Sequence, residues 1–261
     1  MRKENLVKIY FIGAGAGDPD LLTVKALKII KKADVIIYAG SLVNGKIIDK
    51  YAQADAKIYN SAKMNLDQVC QLYLKHRKKE GIVARIHTGD TSLYSAIQEQ
   101  MRWCDMQGIE YAVIPGVSSF CAASAALKQE LTLPGLSQTV IITRISGKTK
   151  VPAREDLKHL ANIKAVMIIF LSIGHIDRVV KKLMAEYKSK TPVAVVYKAS
   201  WPDEIIIKGT LDTIADKVKK QKIGRQALII IGEALNKKKF KLSKLYDKNF
   251  STMFRRGEIK K

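Results

Sequence analysis

Short runs of Val and Ile, bounded by Gly, Asp or Pro, recur at 7–12, 35–39, 57–60, 82–88 and 110–114. Apolar runs of this length between such breakers read as buried strands. Between them, apolar positions repeat at helical spacing near 20–33, 45–53, 65–79, 95–107 and 118–130. Strands alternating with helices predict a parallel sheet with helices on its faces. The rhythm changes at LTLPGLSQ (131–138), where Pro134-Gly135 breaks the chain. Strands are then predicted at 139–145, 165–171, 193–199, 204–209 and 226–232, with helices at 155–162, 175–188 and 211–221. The step from 193–199 to 204–209 is too short for a helical crossover. It predicts a hairpin through Trp201-Pro202-Asp203 and hence a mixed second sheet. The reading is an α/β protein with a parallel-sheet N-terminal domain over 1–135, a mixed-sheet C-terminal domain over 136–235 and a basic tail over 236–261.

Composition narrows the class. With 47% hydrophobic and 27% charged residues, the 261-residue chain is too apolar for a disordered polycation. No apolar run approaches the ~20 residues of a membrane span. Arg2 and Lys3 precede an apolar stretch, but Lys8 interrupts it before it reaches signal-peptide length. Three cysteines (Cys70, Cys104, Cys121) make no complete disulfide framework, which fits a reduced, cytoplasmic protein. The four histidines show no metal-ligand spacing and no Cys-x-x-Cys occurs, so no protein-bound metal is expected. The formal net charge is +22, from 46 Lys+Arg against 24 Asp+Glu. Only 10 of the basic residues are Arg. That balance is poor for base readout, which favours Arg. The charge suits either a solvated lysine surface or a funnel for a polyanionic substrate.

Three glycine-bearing loops follow predicted parallel strands at one sheet edge, where ligands bind in such sheets. The first, GAGAGDPD (Gly13–Asp20), fails as a dinucleotide loop. Its third glycine position is Asp18, and the second strand ends in Ala39-Gly40-Ser41 rather than in an acid. Asp18 reads as a helix N-cap with Pro19 at the first helical position. The second is HTGDTSLYSA (His87–Ala96) and the third PGVSSF (Pro115–Phe120), which opens a helix at Ser118 or Ser119. Cys121 and Trp103 read as packing residues and His87 as structural. Trp201 reads equally as packing and as a wall of a ligand site.

GAGAGDPDLLTVKALK, ADVIIYAGSLV, HTGDTSLYSAIQEQM, PGVSSFCAASAALKQELTLPGLSQTVIITR and PVAVVYKASWPDE together resemble the tetrapyrrole methylases. YAGSLV, ELTLPGLSQTVI and YKASWPDE resemble the branch that methylates C11 of precorrin-4 or cobalt-precorrin-4 in cobalamin synthesis. The resemblance runs from Val7 into the KLYDKNFSTMFR tail. It implies two α/β domains of the class III methyltransferase fold, not the Rossmann type, and S-adenosylmethionine in the cleft between the domains. It also implies a homodimer, an acidic tetrapyrrole substrate, and no nucleic-acid or membrane partner.

Carried over by position, the cofactor residues would be Ala16, Thr88, Gly89, Asp90, Leu93, Tyr94, Ser119, Phe120, Leu171, Ser172, Ala199 and Ala227. Small side chains at Ala199 and Ala227 would let backbone reach the adenine. Two positions depart from the family pattern: Ala16 and Thr91 stand where it has proline, which loosens loop φ without removing a side-chain donor. Methyl transfer from a sulfonium is an in-line displacement that a dry, weakly polar site assists. Asp18, Asp90 and Tyr94 are candidate bases by position only. Arg85, Arg102, Arg144, Lys148 and Lys198 are candidate cations for substrate carboxylates, Arg144 and Lys198 first. The alternatives are another precorrin C-methyltransferase of the same family and, from a different class, a polyanion- or nucleic-acid-binding module using the basic tail, with Phe240, Tyr246, Phe250 and Phe254 as stacking groups.

Overall fold

The computed structural model describes residues 8–76, 81–236 and 240–258. The chain forms two compact units, one of residues up to 126 together with 198–204, the other of 127–197 and 205 onward. The division falls upstream of the boundary expected near 135. The linker explains why: Pro134 O accepts from Lys241 N, and Ser137 Oγ accepts from Val166 N, both in the second unit.

In the first unit, β1 (Lys8–Gly13), β2 (Val35–Tyr38), β3 (Lys57–Asn60), β4 (Ile82–His87) and β5 (Tyr111–Ile114) form one sheet in the order β3-β2-β4-β1-β5. Every pairing is parallel, as predicted. Alternation along β1 feeds two cores. Ile9 and Phe11 face a cluster with Val69, Tyr73, Cys104 and Ile109, while Ile12 faces one with Ala26, Ile30, Ile36 and Ile47. Phe11 is fully buried, and Phe11→Ala should remove about 3–5 kcal/mol.

The helices are α1 (Val24–Ile30), α2 (Gly45–Tyr51), α3 (Leu66–His76), α4 (Gln98–Gln107) and α5 (Ser119–Leu127). Each lies within its predicted span; positions 77–79 of the third span, and 7 of the first strand, are outside the described residues. Asp18 caps only a 3₁₀ turn, Pro19–Leu21, by accepting from Asp20 N at 2.9 Å. The α-helix starts at Val24, where Thr23 is the N-cap and accepts from Ala26 N at 3.2 Å. Leu22 and Thr23 are extended, so the Asp-Pro signal and the helix are separated.

The second unit's sheet contains β6 (Val140–Arg144), β7 (Val166–Phe170), β8 (Pro192–Tyr197), β9 (Ile205–Thr210) and β10 (Ala227–Ile231), ordered β6-β7-β10-β8-β9. Only β6–β7 is parallel, and β8–β9 is the predicted antiparallel pair. α6 (Leu157–Ala161), α7 (Ile176–Leu183) and α8 (Ile214–Lys220) cover it. On α7, Ile176, Val179 and Leu183 are buried at spacings of three and four, and the last turn carries Lys181 and Lys182, which suit the negative end of the helix dipole. Among the described residues no helix is long and apolar enough to cross a membrane.

Candidate functional site

Because β1, β4 and β5 are adjacent and parallel, the loops after them leave one edge together. Three glycines then meet backbone to backbone. A Cβ on Gly116 would lie 2.2 Å from Gly89 O and 2.6 Å from Gly13 O, and one on Gly13 would lie 2.7 Å from Gly116 N. Gly15 and Gly89 form an antiparallel bridge, with Gly89 N donating to Gly15 O at 2.8 Å. Their φ values of +78° and +64° suit glycine. The glycines of the first loop thus serve close approach of three backbones, which fits the failed dinucleotide pattern.

Asp90 ties two of these loops. Its Oδ2 accepts from Gly116 N at 2.8 Å, and its Oδ1 accepts from Ser92 N at 2.9 Å and from Ser92 Oγ. Burial works to raise its pKa, but these bonds outweigh it and hold the carboxyl below its ordinary range. Asp90 is therefore a loop staple and a poor proton acceptor. Asp18 likewise uses its carboxylate on its own turn. Tyr94 is 45% exposed and has φ +55°; Ala96 follows at +50°. Left-handed backbone at non-glycine residues is unfavourable and gathers where function needs it. Thr88, Leu93, Ser119 and Phe120 lie half-buried on the same loops, with Ala16 and Gly89 buried.

Residues 198–204, linking β8 to β9, belong to the first unit and lie against its first loop. Trp201 Nε1 donates to Ala16 O at 2.9 Å, and Asp18 N donates to Ser200 Oγ at 3.1 Å. Asn44, at the start of α2, donates from Nδ2 to Gly17 O at 2.8 Å. Ala199 is buried. Lys198 Nζ lies 2.6 Å from Asp203 Oδ2 and 5.3 Å from the Trp201 ring centroid.

Beneath the second loop, β4 carries two buried polar residues. Arg85, expected at a loop edge, is a core residue: Nε donates to Gln100 Oε1 at 3.1 Å and NH1 donates to Ser61 Oγ at 2.8 Å. Tyr73 OH also donates to Gln100 Oε1, at 2.7 Å. Burial lowers the Arg85 pKa. His87 is 5% exposed, and burial, then the Arg85 charge, lowers its pKa to about 3. Its Nε2 has no hydrogen-bond partner among the described residues. Trp103 packs beside Tyr73, as expected, whereas Cys121 is exposed rather than in the core.

In the second unit, Leu171 follows β7 with φ +52° and is 67% exposed. Ser172 is fully buried; its Oγ donates to Phe170 O at 2.6 Å and accepts from Ile145 N at 3.0 Å. Ala227 opens β10 and is buried. Arg144 donates to three backbone carbonyls, Ile145 O, Thr149 O and Lys150 O, at 3.1–3.3 Å. It thereby shapes a loop on which Lys148 and Lys150 are exposed. Arg102 is an exposed residue on α4.

Sequence reasoning did not find Asn44 or the Ala16 contact of Trp201. A short polar residue before a helix signals a cap, but not its second bond to a loop 27 positions away.

Known proteins match this architecture along nearly its whole length. A cobalt-precorrin-4 C(11)-methyltransferase of Methanocaldococcus jannaschii is 52% identical over 258 residues, covering 98% of this chain and 99% of that protein. A solved cobalt precorrin-4 methyltransferase superposes with a TM-score of 0.85 at 44% identity, covering 87% of this chain and 95% of its own. A uroporphyrin-III C-methyl transferase from Thermus thermophilus, complexed with S-adenyl homocysteine, has a TM-score of 0.73 at 26% identity, covering 87% and 93%. Residues 8–215 match the family model described as Tetrapyrrole (Corrin/Porphyrin) Methylases, and to that family the chain belongs.

Proposed function

We propose that this chain is an S-adenosylmethionine-dependent C-methyltransferase that methylates C11 of precorrin-4 or cobalt-precorrin-4. The observation that carries the reading is the meeting of three glycine loops, with a strained, exposed Tyr94, in a chain so close to a cobalt-precorrin-4 methyltransferase. Two features argue against a pyrophosphate: the first loop carries Asp18 where a dinucleotide loop has its third glycine, and its glycines are used on one another.

The cofactor residues we propose are Ala16, Thr88, Gly89, Asp90, Leu93, Tyr94, Ser119, Phe120 and Ala199 in the first unit, with Leu171, Ser172 and Ala227 in the second. The cofactor supplies an electrophilic methyl group on a sulfonium. The chain's part is to hold the reacting partners in line in a dry setting, which is worth several kcal/mol. Asp90 and Gly89 act through loop shape, since the Asp90 oxygens are already engaged. Asp18, Asp90 and Tyr94 remain the candidate bases by position, with the Asp18 and Asp90 carboxylates engaged in their own loop turns.

Substrate carboxylates call for cations with fixed positions. We assign this to Arg144 and the loop it shapes, with Lys148 and Lys150. The protein is further proposed to be a cytoplasmic homodimer. Leu242, Tyr246, Met253 and Phe254 in the tail are each more than four-fifths exposed, which suits burial against a second copy. Sedimentation of a single monomeric species would refute the dimer.

The test is incubation with methyl-labelled S-adenosylmethionine and precorrin-4, with and without cobalt. Mass and NMR analysis should find one new labelled methyl at C11. Label at another ring carbon would refute the regiochemistry. Thermal stabilisation by heparin or single-stranded DNA, with none from S-adenosylhomocysteine, would favour the rival polyanion module. A cofactor at 100 times its Kd should add about 2.7 kcal/mol.

A further inference from the structure

We propose that Trp201 is a positioning residue for the cofactor loop, and that Lys198 acts through Trp201 rather than on the substrate. The proposal rests on the methyltransferase reading and assigns a function to the KASWPDE turn that the reading leaves open.

Three consecutive residues of the first loop are held from outside it. Ala16 O accepts from the Trp201 indole, Gly17 O from Asn44, and Asp18 N donates to Ser200. The indole is fitted to this loop. A Cβ on Gly17 would stand 2.0 Å from Trp201 Nε1 and 2.1 Å from its Cδ1, and Gly17 has φ +154°. Any side chain at 17 would therefore displace the ring. Ala16 stands where the family pattern has a proline, so the ring that would stiffen the loop from within is missing. The tryptophan supplies that restraint from 185 positions away.

The turn that delivers the indole is itself under tension. Lys198 and Ser200 have φ of +46° and +68°, conformations that side-chain-bearing residues adopt only where the surroundings over-determine them. Three contacts do so here. The Lys198 ammonium pairs with Asp203, it lies over the Trp201 ring, and Ser200 N donates to Glu204 Oε2 at 2.8 Å. A cation whose charge is already met by Asp203 is poorly placed to capture a carboxylate, whereas one over an indole face fixes the ring plane.

The experiment is calorimetric titration of S-adenosylhomocysteine into wild type, Trp201→Phe, Ser200→Ala and Lys198→Met, with steady-state kinetics on precorrin-4. Loss of one hydrogen bond in Trp201→Phe should weaken S-adenosylhomocysteine about three- to tenfold. Ser200→Ala should act in the same direction and carries the test if Trp201→Phe fails to fold. Lys198→Met should raise the Kd for S-adenosylhomocysteine while leaving the KM for the tetrapyrrole unchanged. Raised tetrapyrrole KM with unchanged cofactor affinity would overturn the assignment of Lys198. Wild-type affinity in both Trp201→Phe and Ser200→Ala would overturn the positioning role. Absence of binding to wild type would instead refute the methyltransferase reading and, with it, the proposal.

Discussion

Gly116→Ala tests whether backbone contact among three loops builds the site. The added Cβ would lie 2.2 Å from Gly89 O, and that contact must open by 0.8 Å or more to reach 3.0 Å. Gly13 O lies 2.6 Å away on the other side, so no small rotation relieves both. Forcing extra volume into a tight contact removes about 1–3 kcal/mol. Separation of the loops also weakens the Gly116 N–Asp90 bond, a charge-assisted hydrogen bond of about 1.5–3 kcal/mol. The expected loss in urea unfolding followed by circular dichroism is therefore about 1–3 kcal/mol from crowding alone and up to about 6 kcal/mol if the Asp90 bond is lost outright. Displacement approaching 1 Å at the cofactor edge should lower kcat/KM by on the order of 100-fold. Gly45→Ala is the matched control. It opens α2, no described residue beyond its own neighbours and helix backbone lies within 4 Å of its Cβ, and it should gain about 0.4–1 kcal/mol with unchanged kinetics. Gly116→Ala with wild-type stability and wild-type affinity for S-adenosylhomocysteine would refute the argument.

Four further outcomes are expected. His87 stays neutral in the fold down to about pH 3 but takes up a proton near its ordinary 6.5 when unfolded, so stability should fall as pH drops from 6.5 towards 3, by at most about 1.4 kcal/mol per pH unit. An acid limb unchanged in His87→Leu would refute this assignment. Arg85→Met should let His87 titrate nearer its ordinary range by NMR, because the neighbouring charge is gone; no shift would show that burial alone holds it down. Asp90→Asn should destabilise the loops above the ordinary carboxyl pKa of 3.8, and the difference from wild type should vanish as acid protonates the wild-type group. Raising salt should raise the KM for the polycarboxylate substrate while leaving S-adenosylhomocysteine binding nearly unchanged, since screening acts on exposed charges; parallel loss of both would refute the separation.

Most strands were legible as short runs rich in Val and Ile near Gly, Asp or Pro, and all ten predicted strands lie within a residue or two of their expected ends, although β3 has a single Ile and is mostly exposed. The hairpin at 201–203 was legible from length alone. The start of α1 was not: Asp18-Pro19 is a cap signal, but it serves a 3₁₀ turn, and the quieter Thr23 caps the helix. Arg85 sits among Ile and Val in β4, and only the presence of Gln100, Ser61 and Tyr73 around it explains how a cation can be buried there. Sequence showed three glycine loops at one edge. It could not show that Gly13, Gly89 and Gly116 touch, because the strand order that brings them together is a tertiary fact. The same holds for Trp201 and Ala16.

The glycine junction has a consequence for how this protein acquires its ligand. Residues 13, 89 and 116 meet only once β4, β1 and β5 are paired, and each contact closes a long stretch of chain. Such non-local closure comes late in folding. A chain halted before β5, or a fragment without it, has two loops bridged at Gly15 and Gly89 but lacks the third loop and the Gly116 N–Asp90 bond. On the proposed reading, affinity for the nucleoside is then a property of the finished sheet rather than of any segment. Ligand added to cells or to a refolding mixture should protect the whole unit at once, by mass action on its folded form.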